Sequence, residues 1–393
     1  MKNCLIYGVI MKKNIIIIII NTIILFGIVG IIVNLSPLIE KPLTAFSLSI
    51  LKLGSPALIY NNAKATFSNS SSAVEENTTN TVPEEEKSVM NSISAKDSKD
   101  YTDIQQTPSD IVRLMNKAKK TTTKSKSKGK TSEEAYQGGG TIVSYGNLQI
   151  QTKIPKSFYS PNIKALLSQG SDLTIYDKSK PTILIYHSHT TEAYSLLDTG
   201  YYISSDARSN NSERNMVRVG DDLTAYLEKQ GFNVIHDRTI HDKDYTKSYD
   251  NSRATIEKYL EQYPSIEVTI DVHRDDITYS NKTKVKPTAK INGKKAARMM
   301  IISGCEYNRV KNFPDWEENL KFDLQVQNKV NELYPGLMRP ILFSERKYNM
   351  YETHYSFLLE VGTDANTLDE ACYSARMFGN ALGQLLNEKY VKE

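Results

Sequence analysis

Residues Ile15 to Val33 read IIIIIINTIILFGIVGIIV, 19 residues broken only by Asn21 and Thr22. A hydrocarbon core about 30 Å thick is crossed by about 20 residues of helix, so this run has the length of one membrane span. Lys12 and Lys13 precede it and Lys2 lies further out, which places the short N-terminus on the cytoplasmic side. A cleaved leader has an apolar core of about 7–15 residues that ends at small residues. This run is longer, and no A-x-A site follows it. We expect an uncleaved anchor over residues 1–35, opened from Met1 or Met11, with the remainder outside the cytoplasm.

Composition then divides the chain. Residues 36–60 are mixed and read as juxtamembrane. From about 61 to 140, Ser, Thr, Asn, Lys and Glu dominate, as in SNSSSAVEENTTNTVPEEEK. Such a stretch buries too little apolar area to offset the entropy of ordering its backbone. The expectation for 36–140 is a juxtamembrane segment followed by a disordered tether that ends at Gly138-Gly139-Gly140. Roughly 80 flexible residues have an r.m.s. reach of about 45–55 Å. Lys117 to Lys130 contains no acidic residue. Solvated charge is the simpler account of that cluster, and adhesion to an anionic wall polymer or membrane surface is the other.

Residues 141–390 read as one globular domain. Short apolar runs, Thr182–Tyr186, Phe232–His236, Ile266–His273, Ala297–Gly304, Pro340–Phe343 and Phe357–Val361, predict strands. Apolar residues at helical spacing predict helices over Ser212–Gln230, Asp250–Tyr263, Trp316–Leu333 and Leu368–Glu388. This alternation predicts an α/β fold, a three-layer α/β/α sandwich around a mostly parallel sheet. The chain has 49 Lys+Arg against 45 Asp+Glu, which excludes a globally basic nucleic-acid coat. Its 3 Cys form no C-x-x-C, which argues against a disulfide framework or Cys-rich zinc site. The sequence holds no G-x-G-x-x-G, P-loop or G-x-S-x-G motif.

Sites in open α/β sheets lie beyond the carboxyl ends of strands. Three segments put acid–base groups there: His187-Ser188-His189-Thr190-Thr191-Glu192, Asp271-Val272-His273-Arg274-Asp275, and Glu360 in Phe357–Val361. Two imidazoles, one carboxylate and an open position for water make a hydrolytic zinc set. A further carboxylate is needed to take a proton from the water and deliver it to the leaving amine. We assign His189, Glu192 and His273 as metal ligands and Glu360 as general base and acid. Asp271 or Asp275 is the acceptor behind a ligating His. Arg274 holds a carboxylate, stabilises an oxyanion, or simply pairs with Asp275 or Asp276. His187 and His189 stand two apart and point the same way on an extended strand, so His187 is the alternative ligand or an outer partner. His236 and His241 read as loop architecture, and His354 as a surface or groove residue.

These motifs resemble the stage II sporulation protein P family, cell-wall hydrolases of endospore-forming bacteria. The resemblance lies in ILIYHSHTTEAY (183–194), RNMVRVGDDL (214–223), VIHDRTIHDKDYTKSYDNS (234–252), TIDVHRD (269–275) and SFLLEVGTDANTLDEA (356–371). It implies a fold related to zinc carboxypeptidases and zinc-dependent N-acetylmuramoyl-L-alanine amidase activity on peptidoglycan. It also implies endopeptidase activity on cross-linked stems, and partnership with stage II sporulation proteins D and M during engulfment, between mother cell and forespore. By position, His189 and His273 match that family's metal histidines and Glu360 its catalytic Glu. For the third ligand the resemblance leaves Glu192 beside Glu213 and Asp221, at the opening of the helix predicted over 212–230. The other readings are a non-catalytic wall-binding scaffold and a zinc peptidase confined to stem peptides.

Overall fold

A computed structural model describes residues 104–122, 124 and 127–392. The candidate membrane span lies outside them. Among the described residues, no helix is long and apolar enough to cross a membrane.

The main sheet has 8 strands. In spatial order they are β2 (Thr141–Tyr145), β3 (Leu148–Thr152), β11 (Ile341–Ser344), β10 (Met299–Gly304), β12 (Tyr355–Thr363), β7 (Val268–Asp275), β4 (Pro181–Tyr186) and β6 (Asn233–His236). β12, β7, β4 and β6 run parallel, but β10 is antiparallel to β12. The sheet is therefore mixed, not mostly parallel. The cause is a hairpin, β8 (Lys284–Ile291) and β9 (Lys294–Ala297), inserted after β7. It delivers the chain to β10 with only Arg298 between β9 and β10, so β10 must run back down. Asn292-Gly293, both at positive φ, make the two-residue turn whose twist suits a hairpin. With β1 (Gly129–Glu134) and β5 (Tyr201–Tyr202) this hairpin forms a second sheet, in the order β5-β1-β8-β9.

Strand alternation divides the side chains between two faces. Val268, Ile270 and Val272 of β7, with Phe357, Leu359 and Val361 of β12, enter the large core. That core is closed by α3 (Met216–Lys229), α5 (Trp316–Leu333) and α6 (Leu368–Lys389). Asn215 caps α3 through Val217 N–H, and a Thr367/Glu370 capping box starts α6. The opposite face presents Leu184 and Tyr186 to Ile256 of α4 (Ser248–Gln262). The same face carries Asp271, His273 and Glu360, which alternate with the core residues of β7 and β12.

The domain also begins earlier than 141. α1 (Ser109–Thr121) buries Ile111, Leu114 and Ala118, and Arg218 Nε on α3 donates to Asp110 at 2.7 Å. Arg376 of α6 donates to Ile104 O at 2.8 Å and to Asp222 at 2.5 Å. A polar composition masked Ile111, Leu114, Met115 and Ala118, which share one helical face. The last part of the expected tether is thus folded onto the domain. Ile111→Ala in the full chain should cost about 2–4 kcal/mol, a fall in melting temperature on the order of 5–10 °C. The exposed neighbour Val112→Ala should stay within about 0.5 kcal/mol. Equal melting of both variants would restore the tether reading.

Candidate metal centre

β4 ends at Tyr186, and the chain turns at once: Thr190 Oγ1 donates to His187 O at 2.8 Å, and Glu192 N to His189 O at 3.0 Å. The turn breaks the two-residue alternation expected for His187 and His189. His187 is held at Nδ1 by Val272 O and at Nε2 by His236 Nε2, both at 2.9 Å. Burial, with His236 beside it, pushes its pKa down to about 3. His189 turns the other way, toward His273.

One nitrogen or oxygen from each of His189, Glu192 and His273 lies within 4.8 Å of the others. His189 is buried and neither ring nitrogen makes a hydrogen bond. Its Nδ1 stands 3.8 Å from Glu192 Oε1, and His273 Nδ1 stands 3.5 Å from Glu192 Oε2. Behind His273, Nε2 lies 2.8 Å from Asp271 Oδ1. Asp271 in turn accepts from Ser188 N at 2.8 Å and Ser188 Oγ at 2.6 Å. Glu213 is elsewhere, paired with Arg113 at 2.7 Å, and Asp221 is paired with Arg238.

The charges are arranged by burial and by one another. Burial pushes His189 down to about 4, although Glu192 pulls upward. Burial opposes ionised Glu192, but Arg274, His273 and His189 outweigh it and hold the carboxyl well below its usual range. Burial also opposes charged His273, and Asp271 overcomes it, so this imidazole is held well above its usual range. Arg274 braces Glu192: its N–H donates at 3.2 Å and its Nη1 stands at 3.5 Å, while Nη2 donates to Ala207 O at 2.9 Å. Arg339 takes Asp275 and Lys284 takes Asp276, each at 3.0 Å.

Glu360 faces His273 across the β12–β7 ladder as its register partner. Its Oε2 is buried without a hydrogen bond. Burial, then Asp275, raises its pKa well above the ordinary carboxyl value, against the pull of His273. A neutral form favoured by folding contributes stability at low pH that is lost as pH rises through the folded-state pKa. Glu360→Gln, neutral at every pH, should therefore gain stability over wild type between pH 5 and pH 8 in the presence of chelator. Chemical denaturation at the two pH values measures it, and a pH-independent difference would contradict the assignment.

An aromatic file borders the centre. Tyr245 stacks on His189 with centroids 4.3 Å apart, and Arg208 lies 4.6 Å above Tyr245. Tyr249 lies parallel to His273 at 6.3 Å, and Tyr348 stacks on Tyr249 at 4.8 Å. The first two come from the KDYTKSYDNS stretch. Tyr348, in an irregular loop, left no sequence signal. His241 is structural, bonded to His187 O and Thr255 Oγ1. His354 is exposed, 3.3 Å from Asp315.

A family model, Stage II sporulation protein P, matches residues 56–383. The chain belongs to that family. Stage II sporulation protein P of Bacillus subtilis (strain 168) is 33% identical over 224 residues, which are 54% of this chain and 51% of the relative. The chain thus spans about half the length of this curated relative. Two solved structures are similar at a TM-score of 0.32. N-acetylmuramoyl-L-alanine amidase AmiC2 of Nostoc punctiforme is 11% identical, over 54% of this chain and 97% of that one. The apo form of the N-acetylmuramyl-L-alanine amidase Ami1 from Mycobacterium abscessus is 13% identical, over 53% and 98%. Likeness at that level transfers no chemistry.

Proposed function

We propose that this chain is a membrane-anchored, zinc-dependent peptidoglycan hydrolase. It cleaves the amide between N-acetylmuramic acid and L-alanine, and cross-linked stem peptides as a second substrate, during sporulation engulfment. The observation that carries the proposal is the convergence of His189, Glu192 and His273, with both His189 nitrogens buried and unpartnered. Natural interiors satisfy such groups, and a cation is the partner this donor set fits. Membership of the sporulation family supports the wall as substrate, and stage II sporulation proteins D and M as partners. The anchor at 15–33 puts the site in the space between the mother cell and forespore membranes.

His189, Glu192 and His273 would hold zinc, leaving a position for water. When bound, the ion polarises the scissile carbonyl and lowers the pKa of a water toward about 7. Glu360 takes the proton of the attacking water and returns it to the departing amine. Its raised pKa suits it to keep that proton between the two transfers. Asp271 fixes the tautomer and orientation of His273. Arg274 keeps Glu192 ionised and in place through its backbone N–H and Nη1, and in that acts as a positioning residue.

Elemental analysis and digestion of purified sacculi by the detergent-solubilised full chain test this. Wild type should hold about one zinc and release stem-free glycan. His273→Ala should lose both metal and activity. Glu360→Gln should keep the metal and lose about 10²–10⁴ of turnover, and Asp271→Asn should bind metal roughly 10–100-fold more weakly. A wild type without zinc that behaves like its variants would make the chain a scaffold, and peptide ends alone would make it a stem peptidase.

Protonation adds an independent check. Near neutrality Glu192 and His189 are already deprotonated and His273 is not. Zinc loading of Glu360→Gln at pH 6 should therefore release about one proton, from His273. Calorimetry in buffers of different ionisation enthalpy counts it, and a value near zero would remove His273 from the ligand set.

A further inference from the structure

Tyr249 stands in the first turn of α4, on the site side of the sheet. Neighbours on three sides fix it. Its carbonyl accepts from Asn349 Nδ2 at 3.1 Å and from Ser252 Oγ at 3.2 Å. Its ring lies between Tyr348, at 4.8 Å, and His273, at 6.3 Å, nearly parallel to both. It also meets His189 edge-on at 5.3 Å. Tyr348 occupies the left-handed region at φ 42°, which a bulky side chain adopts only when its surroundings impose it. That strained residue lays its ring on Tyr249 and presents the next residue, Asn349, to the Tyr249 carbonyl. Two separate segments therefore clamp one phenol beside the candidate metal centre.

The Tyr249 hydroxyl has no hydrogen-bond partner and is shielded from solvent, although part of the residue is exposed. A phenol of ordinary pKa, about 10, keeps its proton near neutrality and can donate to an anion that arrives. Arg274, another donor at the centre, has Nη1 against Glu192 and Nη2 on Ala207 O, which leaves its buried Nε as the unengaged nitrogen of that guanidinium.

We infer that Tyr249 is a catalytic residue whose hydroxyl donates a hydrogen bond to the oxyanion formed at the scissile carbonyl. The inference rests on the hydrolase reading above. In the step it serves, a water oxygen bonds to the amide carbon, its proton passes to Glu360, and the carbonyl π pair moves onto oxygen. Tyr249 O–H bonds to that oxygen without giving up its proton. When the carbonyl re-forms, the C–N bond breaks and Glu360 delivers its proton to the amine, leaving a carboxylic acid and a free amine. A donor already in place, in a site with little water, costs no reorganisation as the charge develops.

The test is Tyr249→Phe in the zinc-loaded full chain. An unpartnered buried hydroxyl gives nothing to stability, so melting temperature and zinc content should match wild type or exceed it. Turnover of sacculi should fall about 10²–10³-fold with KM within about threefold. Affinity for a muramoyl peptide with a phosphinate in place of the scissile amide should fall comparably, while affinity for the cleaved glycan should hold. Turnover and phosphinate affinity within about threefold of wild type would overturn the assignment. So would loss of zinc or of cooperative melting, which would make the phenol structural, or a rise in KM alone, which would make it a ground-state contact. A wild type that binds no zinc and cleaves no wall would instead defeat the hydrolase reading, and this inference with it.

Discussion

The centre depends on one buried carboxylate. Asp271 accepts two hydrogen bonds from Ser188 and faces Nε2 of His273. An unpaired buried carboxylate is expensive, and these partners offset that cost: burial raises its pKa, while His273 and Ser188 bring it below the ordinary value. The same contacts join the turn after β4 to the middle of the sheet. Ser188 precedes His189, and Asp271 stands two residues before His273 on the same face of β7. Fixing Asp271 therefore fixes both imidazoles relative to each other. Ser188 Oγ also meets Ser252 Oγ of α4 at 2.7 Å, which brings the first turn of that helix, and Tyr249, to the same point.

Parts of this were legible in the sequence for physical reasons. Apolar runs that meet a His or Glu pointed to the site, although β7 continues to Asp275 and β12 to Thr363, and the run of β6 ends on His236, which is architecture. That reasoning put His189, Glu192, His273 and Glu360 together beyond the carboxyl ends of strands. It failed for His187, because alternation holds only while the strand lasts, and β4 stops at Tyr186. The mixed sheet was hidden in Lys284–Ala297, whose lysine-rich strands have no apolar period. Its Asn292-Gly293 pair was the available signal for a hairpin. The tether was misplaced because average composition outweighed four apolar residues at helical spacing in α1. Tyr245, Tyr249 and Tyr348 were not singled out, since Tyr245 lies in a short turn, Tyr249 opens α4 and Tyr348 lies in a loop, and only tertiary structure brings the three together.

Dryness ties the electrostatics to the chemistry. His189, Glu192, His273 and Glu360 are each under 9% exposed. In such a place each charge acts strongly on its neighbours, which is why Glu192 and Glu360, two carboxyls in one cluster, are pushed in opposite directions. Glu192 has Arg274 and two imidazoles to hold it ionised. Glu360 has Asp275 nearby, and Arg339, which could have compensated it, is bonded to Asp275. One cluster thus holds one carboxyl below its ordinary range and one above it.

The imidazoles show why the unpartnered groups mark the chemistry. His187 is as buried as His189 and only two residues away. Yet His187 is bonded at both nitrogens, to Val272 O and to His236, and His236 continues to Asp221 at 3.1 Å. His241 is likewise bonded at both nitrogens. These rings join the turn after β4 to β6, β7, α3 and α4, and an added ligand would have to break a bond they already make. His189 has no such bond to lose, and neither does Tyr249 at its hydroxyl or Glu360 at Oε2. Residue type and burial do not separate His187 and His241 from His189; hydrogen-bond satisfaction does, although other buried groups of the fold, Thr182, Tyr186 and Asp323 among them, also lack a partner. Architecture uses up its donors and acceptors during folding. A site can keep some in reserve for what it binds, and the unpartnered nitrogens of His189 stand beside Glu192 and His273.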